Sequence, residues 1–190
     1  MNLIVNVDST WGIGREGRLL AHLSADMRRF KHLTVGQVLV LGRKTLETFP
    51  GGRPLPDRTN IVLTRSTTLD IPGACVCRSL DELAGRLADV APERVFAVGG
   101  ASIYRLLLPF CHLAYVTRMQ ADLEADAWFP NLDQDPAWRL VESEPVQSGF
   151  SRIGDPNQAI DFQFCLYAQK RPADLDQWLR ERGERLGLDR

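Results

Sequence analysis

The strongest constraint on the fold is a recurring pair: a short, unbroken apolar run followed by a helical pattern. "LIVNV" (3–7), "VLVLG" (38–42), "NIVLT" (60–64), "CVC" (75–77) and "RVFAVGG" (94–100) are such runs. They do not alternate with polar residues, so each strand has to be buried on both faces, as in a parallel sheet covered by helices. Helical patterns follow Ser24, "RKTLETF", "SLDELAGRLADV" and "ASIYRLLLPF", the last stopped near Pro109. Ser24 stands where it could cap the first helix. Ser79 and Glu82 have capping-box spacing, and Leu80, Leu83 and Leu87 form one apolar stripe. Longer alternating runs at "LAYVTRM" (113–119), "WRLVESE" (138–144) and "IDFQFCLYAQK" (160–170) suit antiparallel strands at a sheet edge. The expected fold is one α/β domain over residues 1–170. It has a central mixed, mostly parallel sheet of about eight strands, helices on both faces and an antiparallel C-terminal edge.

Composition changes at Arg171, where "RPADLDQWLRERGERLGLDR" becomes highly charged. A helix there would put Leu175, Trp178, Leu179, Arg182 and Leu186 on one side. That extension, 171–190, reads either as an accessory helix lying on the body or a second subunit, or as a solvated tail.

The net charge of −1 offers no general attraction to nucleic acid or to an anionic membrane, so any anion site has to be built locally. No stretch approaches the roughly 20 apolar residues needed to cross a bilayer. The opening residues lack a basic start and a long apolar core, which leads to a cytoplasmic expectation. Cys75, Cys77, Cys111 and Cys165 read as small core residues of a reducing compartment. His22, His32 and His112 show no metal-ligand spacing, and no metal is expected.

Two junctions carry chemistry. "VLVLGRKT" sets Gly42 at a strand end with Arg43, Lys44 and Thr45 opening a helix. "VFAVGGAS" does the same with Gly99, Gly100, Ala101 and Ser102. Helix-start N–H groups beside glycine suit phosphate, and two neighbouring junctions could hold a diphosphate. The G-x-G-x-x-G fingerprint, a complete P-loop and a nucleophile elbow are all missing, which moves weight toward a bound nucleotide cofactor. Asp26 in "LLAHLSADMRRF" shares a helix face with Leu23 and Phe30. An acid there either complements the helix dipole or marks a pocket. Arg58 could clamp a carboxylate, while Arg65 and Arg78 could face a phosphate or water.

These pieces, in this order and spacing, resemble bacterial single-chain dihydrofolate reductase. The match runs through "LIVNVDSTWGIGREGRLL", "HLSADMRRFK", "VLVLGRKTLETF", "GRPLPDRTNIVLT", "VFAVGGASIY", "AYVTRMQADLEADAWFP" and "FQFCLYAQ", over roughly residues 1 to 170. The resemblance implies NADPH-dependent reduction of 7,8-dihydrofolate, with hydride going to pterin C6 and a proton to N5. Asp26 would bind the 2-amino group and N3, supported by Thr117, with water bringing the proton. Ile4, Val5, Met27, Phe30, Phe49, Leu55 and Val98 would surround the substrate, and Arg58 would hold its glutamate. Gly42, Arg43, Lys44, Thr45, Gly99, Gly100, Ala101 and Ser102 would surround the cofactor phosphates. Thr64, Arg65 and Arg78 would face the 2′-phosphate, and Ile13, Leu19, Leu63, Ile103 and Tyr104 would complete the cofactor site. Residues 11–20 would form a mobile glycine-rich lid.

Three departures from the family pattern stand out: Leu20 and Ala21 where many relatives have Pro-Trp, and Ser102 where a basic residue is common. The resemblance implies small-molecule partners, antifolates among them, a monomer, and no nucleic acid or membrane. The alternatives are a related pyrimidine reductase of riboflavin synthesis and a non-catalytic nucleotide-binding relative.

Overall fold

The computed structural model describes residues 1–153 and 159–186. Its parallel strands are β1 (Asn2–Val7), β4 (Val38–Gly42), β5 (Thr59–Leu63), β6 (Cys75–Cys77), β7 (Val95–Gly99) and β8 (Leu113–Met119). The antiparallel edge is β10 (Trp138–Ser143), β11 (Gln147–Phe150) and β12 (Ala159–Gln169). Together they form a nine-stranded sheet in the order β10-β12-β8-β1-β7-β4-β5-β6, with β11 also paired to β12. The pairings β1–β8, β1–β7, β4–β7, β4–β5 and β5–β6 are parallel, and every β12 pairing is antiparallel.

Strand alternation explains why the apolar runs are continuous. Leu3, Val5, Val7, Val38, Val40, Val95 and Ala97 enter one core layer. Ile4, Leu39, Leu41, Phe96 and Val98 enter the opposite one. The helices α3 (Leu80–Leu87) and α4 (Ala101–Leu107) cover the first layer through Leu83, Ile103 and Leu107. The second layer is covered by α1 (Ser24–Thr34) and α2 (Arg43–Glu47), through Phe30, Leu33 and Leu46. The chain passes from β1 to β4 and only later inserts β7 between them. Ligand clefts in open α/β sheets form at such crossover points, outside the strands' carboxyl ends.

One local expectation needs correcting. Ser24 is the first residue of α1 rather than its cap; Leu23 is the cap and makes no side-chain capping bond. Leu23 is fully buried and bridges Ser151, so the strand pairing fixes the entry to the helix. The segment expected as the lid, residues 11–20, is built largely of strands. Its strands β2 (Gly12–Arg15) and β3 (Arg18–Leu19) form a hairpin that pairs with β9 (Ala127–Trp128). Glu16 and Gly17, with φ of 52° and 75°, make the two-residue turn. Two positive φ values match the twist of a tight hairpin. Trp11 is an anchor at the lid's root: it is 4% exposed and stacks on Phe129.

Ser79 accepts from Glu82 N as a helix cap, but the Glu82 carboxylate reaches back to Arg78 N, one residue earlier than a standard capping box. Beyond Arg171, α5 (Leu175–Leu186) lies against α3. Trp178 meets Phe110 edge-on at 5.6 Å. Arg182 and Leu186, expected on the same side, fall outside the described side chains.

Candidate active site

Asp26 is 6% exposed, in the first turn of α1 between Leu23, packed in one apolar cluster, and Phe30, packed in another. Thr117 Oγ1 donates to Asp26 Oδ1 at 2.6 Å, and Asn6 Nδ2 donates to Oδ2 at 3.4 Å. Asn6 and Thr117 are register partners on β1 and β8, so one cross-strand pair holds both carboxylate oxygens. Burial pushes the Asp26 pKa up. The Thr117 and Asn6 hydrogen bonds, and the charges of Arg29 and His22, oppose that rise.

Beside this acid opens a cleft of about 1280 Å³. Its floor comes from Val5 and Asn6 of β1, Gly42 of β4, Leu63 of β5, and Val98 and Gly99 of β7. The starts of α2 and α4 form its walls, and Ile13, Gly14, Gly17, Arg18 and Leu19 of the lid hairpin form its rim. Six cations line it: Arg18, Arg43, Lys44, Arg65, Arg78 and Arg105. Asp126 is the one acid among the lining residues. On a chain of net charge −1, that is a local concentration of positive charge. Arg78 donates to the carbonyls of Thr67 and Leu69, which steadies the loop after β5.

A family model described as dihydrofolate reductase matches residues 1–169. The chain belongs to the dihydrofolate reductase family. It is 34% identical over 170 residues to dihydrofolate reductase of Bacillus subtilis, covering 90% of this chain and 95% of that one. It is 34% identical over 171 residues to that of Staphylococcus haemolyticus, covering 90% and 96%. A solved structure, dihydrofolate reductase from Enterococcus faecalis complexed with NADP(H) and RAB-propyl, superposes with a TM-score of 0.73 at 33% identity. That alignment covers 89% of this chain and 95% of the other.

All the residues expected at the cofactor line this cleft. Of those expected at the substrate, Ile4, Phe30, Phe49, Leu55 and Val98 gather in one apolar cluster with Phe96 and Tyr115. Met27 is half-buried on α1. Val5 points to the opposite layer from Ile4 and meets the cleft at its edge. The Ile4 carbonyl accepts from Tyr104 Oη at 2.6 Å, tying β1 to α4. Arg58 stands apart on the loop before β5, half-buried, with Nε buried and no partner among the described residues. Asn60 pins that loop, since it bonds Leu55 N, Leu55 O and Arg58 O.

Three residues were missed from sequence. Asn6 had a signal, a lone amide in an apolar strand. Asp8 is 1% exposed and accepts from Thr10 N, Gly12 N and Leu123 N, so it ties the lid's root to the segment before β9. Arg105, one turn into α4, lines the cleft together with Ser102. Ala21 is 2% exposed in the cluster with Leu23 and Phe162, so that position is filled by core packing.

Gly99 joins the two junctions. Its φ is 113°, and a Cβ there would lie 3.1 Å from the Tyr104 ring. Gly99→Ala is expected to cost about 2 kcal/mol through this backbone conformation and crowding. The melting temperature should drop by about 4–8 °C, and NADPH affinity should fall with it. A thermal melt and a cofactor titration check both; an unchanged melt would show that the site has room for a side chain.

Proposed function

We propose that this protein reduces 7,8-dihydrofolate to tetrahydrofolate with NADPH. The observation that carries this reading is Asp26, an acid sealed from water and held by two donors beside a cation-lined cleft. The cleft fits the cofactor. Paired glycine junctions with Arg43, Lys44, Thr45 and Ser102 suit its diphosphate, and Thr64, Arg65 and Arg78 suit its 2′-phosphate. Asn6 Oδ1, in the cleft wall, is a buried acceptor without a partner among the described residues, which suits a ligand bearing N–H groups. When bound, NADPH supplies the hydride that reduces pterin C6.

The chain's own part is position, field and dryness. Asp26 accepts from the 2-amino group and N3–H, and in a low-dielectric pocket such charge-assisted bonds are strong. Thr117 and Asn6 fix the carboxylate so that both oxygens keep their direction. Asp26 raises the basicity of N5 through the bound ring, and water delivers the proton there. Phe30, Phe49 and Leu55 pack the pterin and aminobenzoyl groups, and Arg58 pairs with the glutamate carboxylate. The lid hairpin closes over the nicotinamide end and excludes bulk water.

The protein works as a monomer in the cytoplasm. Two observations support this: α5 covers an apolar surface of its own chain, and all four cysteines are free. No described helix is long and apolar enough to cross a membrane. A family model spanning 1–169 leaves the pyrimidine-reductase and non-catalytic readings without support.

A direct assay tests this. Protein, dihydrofolate and NADPH together should deplete the reduced nicotinamide. NADH should give kcat/KM lower by at least about 10–100-fold, because even one guanidinium–phosphate contact is worth about 1.5–3 kcal/mol. Absence of turnover with both cofactors would reject the function. Equal rates would reject the roles of Arg65 and Arg78.

A further inference from the structure

Arg29 lies three residues after Asp26 on α1, so the two share a face. Its guanidinium carbon is 4.4 Å from the centre of the Phe164 ring and 5.8 Å from that of Tyr115. Its Nη1 is buried and has no hydrogen-bond partner among the described residues. None of the described ion pairs involves Arg29. Aromatic bedding alone is an ordinary way to pack an arginine. The row beneath it gives this one a further role. Phe164 is the register partner of Thr117, and Thr117 of Asn6. The bed of Arg29 and both donors to Asp26 therefore run in one line across β12, β8 and β1.

We propose that Arg29 is a positioning residue for Asp26: a cation fixed on Phe164 whose field falls on the buried carboxylate and keeps it in its charged, bond-accepting form. The groups facing Arg29 are Glu144 after β10, Tyr115 of β8, Cys165 of β12 and Asp26. Glu144 is exposed and screened by water, whereas Asp26 is buried and is not. The groups facing Asp26 are Arg29 and His22, together with Tyr104 of α4. His22 precedes the helix and is half-buried. Arg29, a guanidinium, stays cationic across the working pH range. Burial alone drives Asp26 toward its neutral form, and Arg29 opposes it.

This inference deepens the reading of Asp26 as the substrate-binding acid and rests on it. The test uses ligand-free protein, so its outcome is separate from whether dihydrofolate is turned over. The Asp26 carboxyl is followed by carbon-13 NMR titration in wild type, Arg29→Met and Arg29→Lys. Methionine fills the aromatic bed without charge, and lysine restores the charge. The Asp26 midpoint is expected to rise by about one pH unit in Arg29→Met, and by less than half as much in Arg29→Lys. The pH midpoint of dihydrofolate turnover should move in the same order. A rise below about 0.3 unit in Arg29→Met, or an equal rise in both variants, would overturn the proposal. If Arg29→Met does not fold, Arg29→Gln takes its place under the same criteria.

Discussion

Asp26→Asn is expected to lower dihydrofolate turnover at pH 7 by about 10²–10⁴-fold, the range for a positioned acid–base group or a transition-state hydrogen-bonding group. The amide matches the carboxylate in shape and keeps a bond from Thr117. It brings no negative charge and cannot raise the basicity of N5. Turnover should therefore recover in part as pH falls and solvent protonates the substrate directly. Equal rates for wild type and variant across pH would remove Asp26 from the chemistry.

The same substitution should stabilise the fold at neutral pH. The Asp26 pKa is raised by burial, so the folded state holds its proton more tightly than the unfolded chain. Stability is then lost as pH climbs from about 4, the unfolded value, through the raised folded value. The neutral amide escapes that loss. Asn6 can turn its Oδ1, unpartnered among the described residues, toward the new N–H donor. The melting temperature should rise at pH 7, by about 2–4 °C for each kcal/mol regained, and the gain should shrink in acid. A lost function accompanied by a firmer fold would mark the acid as kept for its chemistry.

Arg58→Leu is expected to weaken folate binding by about 30–1000-fold, the cost of removing one partner from a hydrogen-bonded charge pair of about 2–4 kcal/mol. A pterin lacking the glutamate should keep its affinity within about twofold, since an alteration that distant leaves Asp26 untouched. Arg58 is suited to the clamp because burial has stripped Nε of water without giving it a partner among the described residues. Burial lowers its pKa, but a guanidinium remains charged at any working pH. Binding titrations with the two ligands separate the outcomes; equal losses would point to a collapse of the loop held by Asn60.

The parts of the site that were legible in the sequence are those written in contiguous residues. Gly42 with Arg43–Thr45 and Gly99 with Gly100–Ser102 each declare a strand end and a helix start within one short motif. Asp26 between Leu23 and Phe30 declares an acid on an apolar face. Relations set by strand register were not legible. Nothing local says that Asn6, Thr117 and Phe164 lie in one row, because β1, β8 and β12 meet only in the folded sheet. The roles of Asn6 and Arg29 depend on that row. The lid's hairpin was hidden for a related reason, since β2 is completed by β9, more than a hundred residues away. Ser24 failed as a cap because Leu23 was already fixed by its bridge to Ser151, a tertiary contact that overrides local capping preference.

The place of β1 in the sheet also governs how the molecule comes together. Asn2 pairs with Phe96 on one side and Leu113 on the other, so the centre of the sheet waits for its late neighbours. Closing such distant segments costs chain entropy before any contact compensates it. A ribosome-bound chain lacking β8 would leave the Asn6 edge of β1 bare. Refolding is accordingly expected to be slow beside that of a helical bundle of the same length, and Asp26 can gain its Thr117 partner only once β8 has paired with β1.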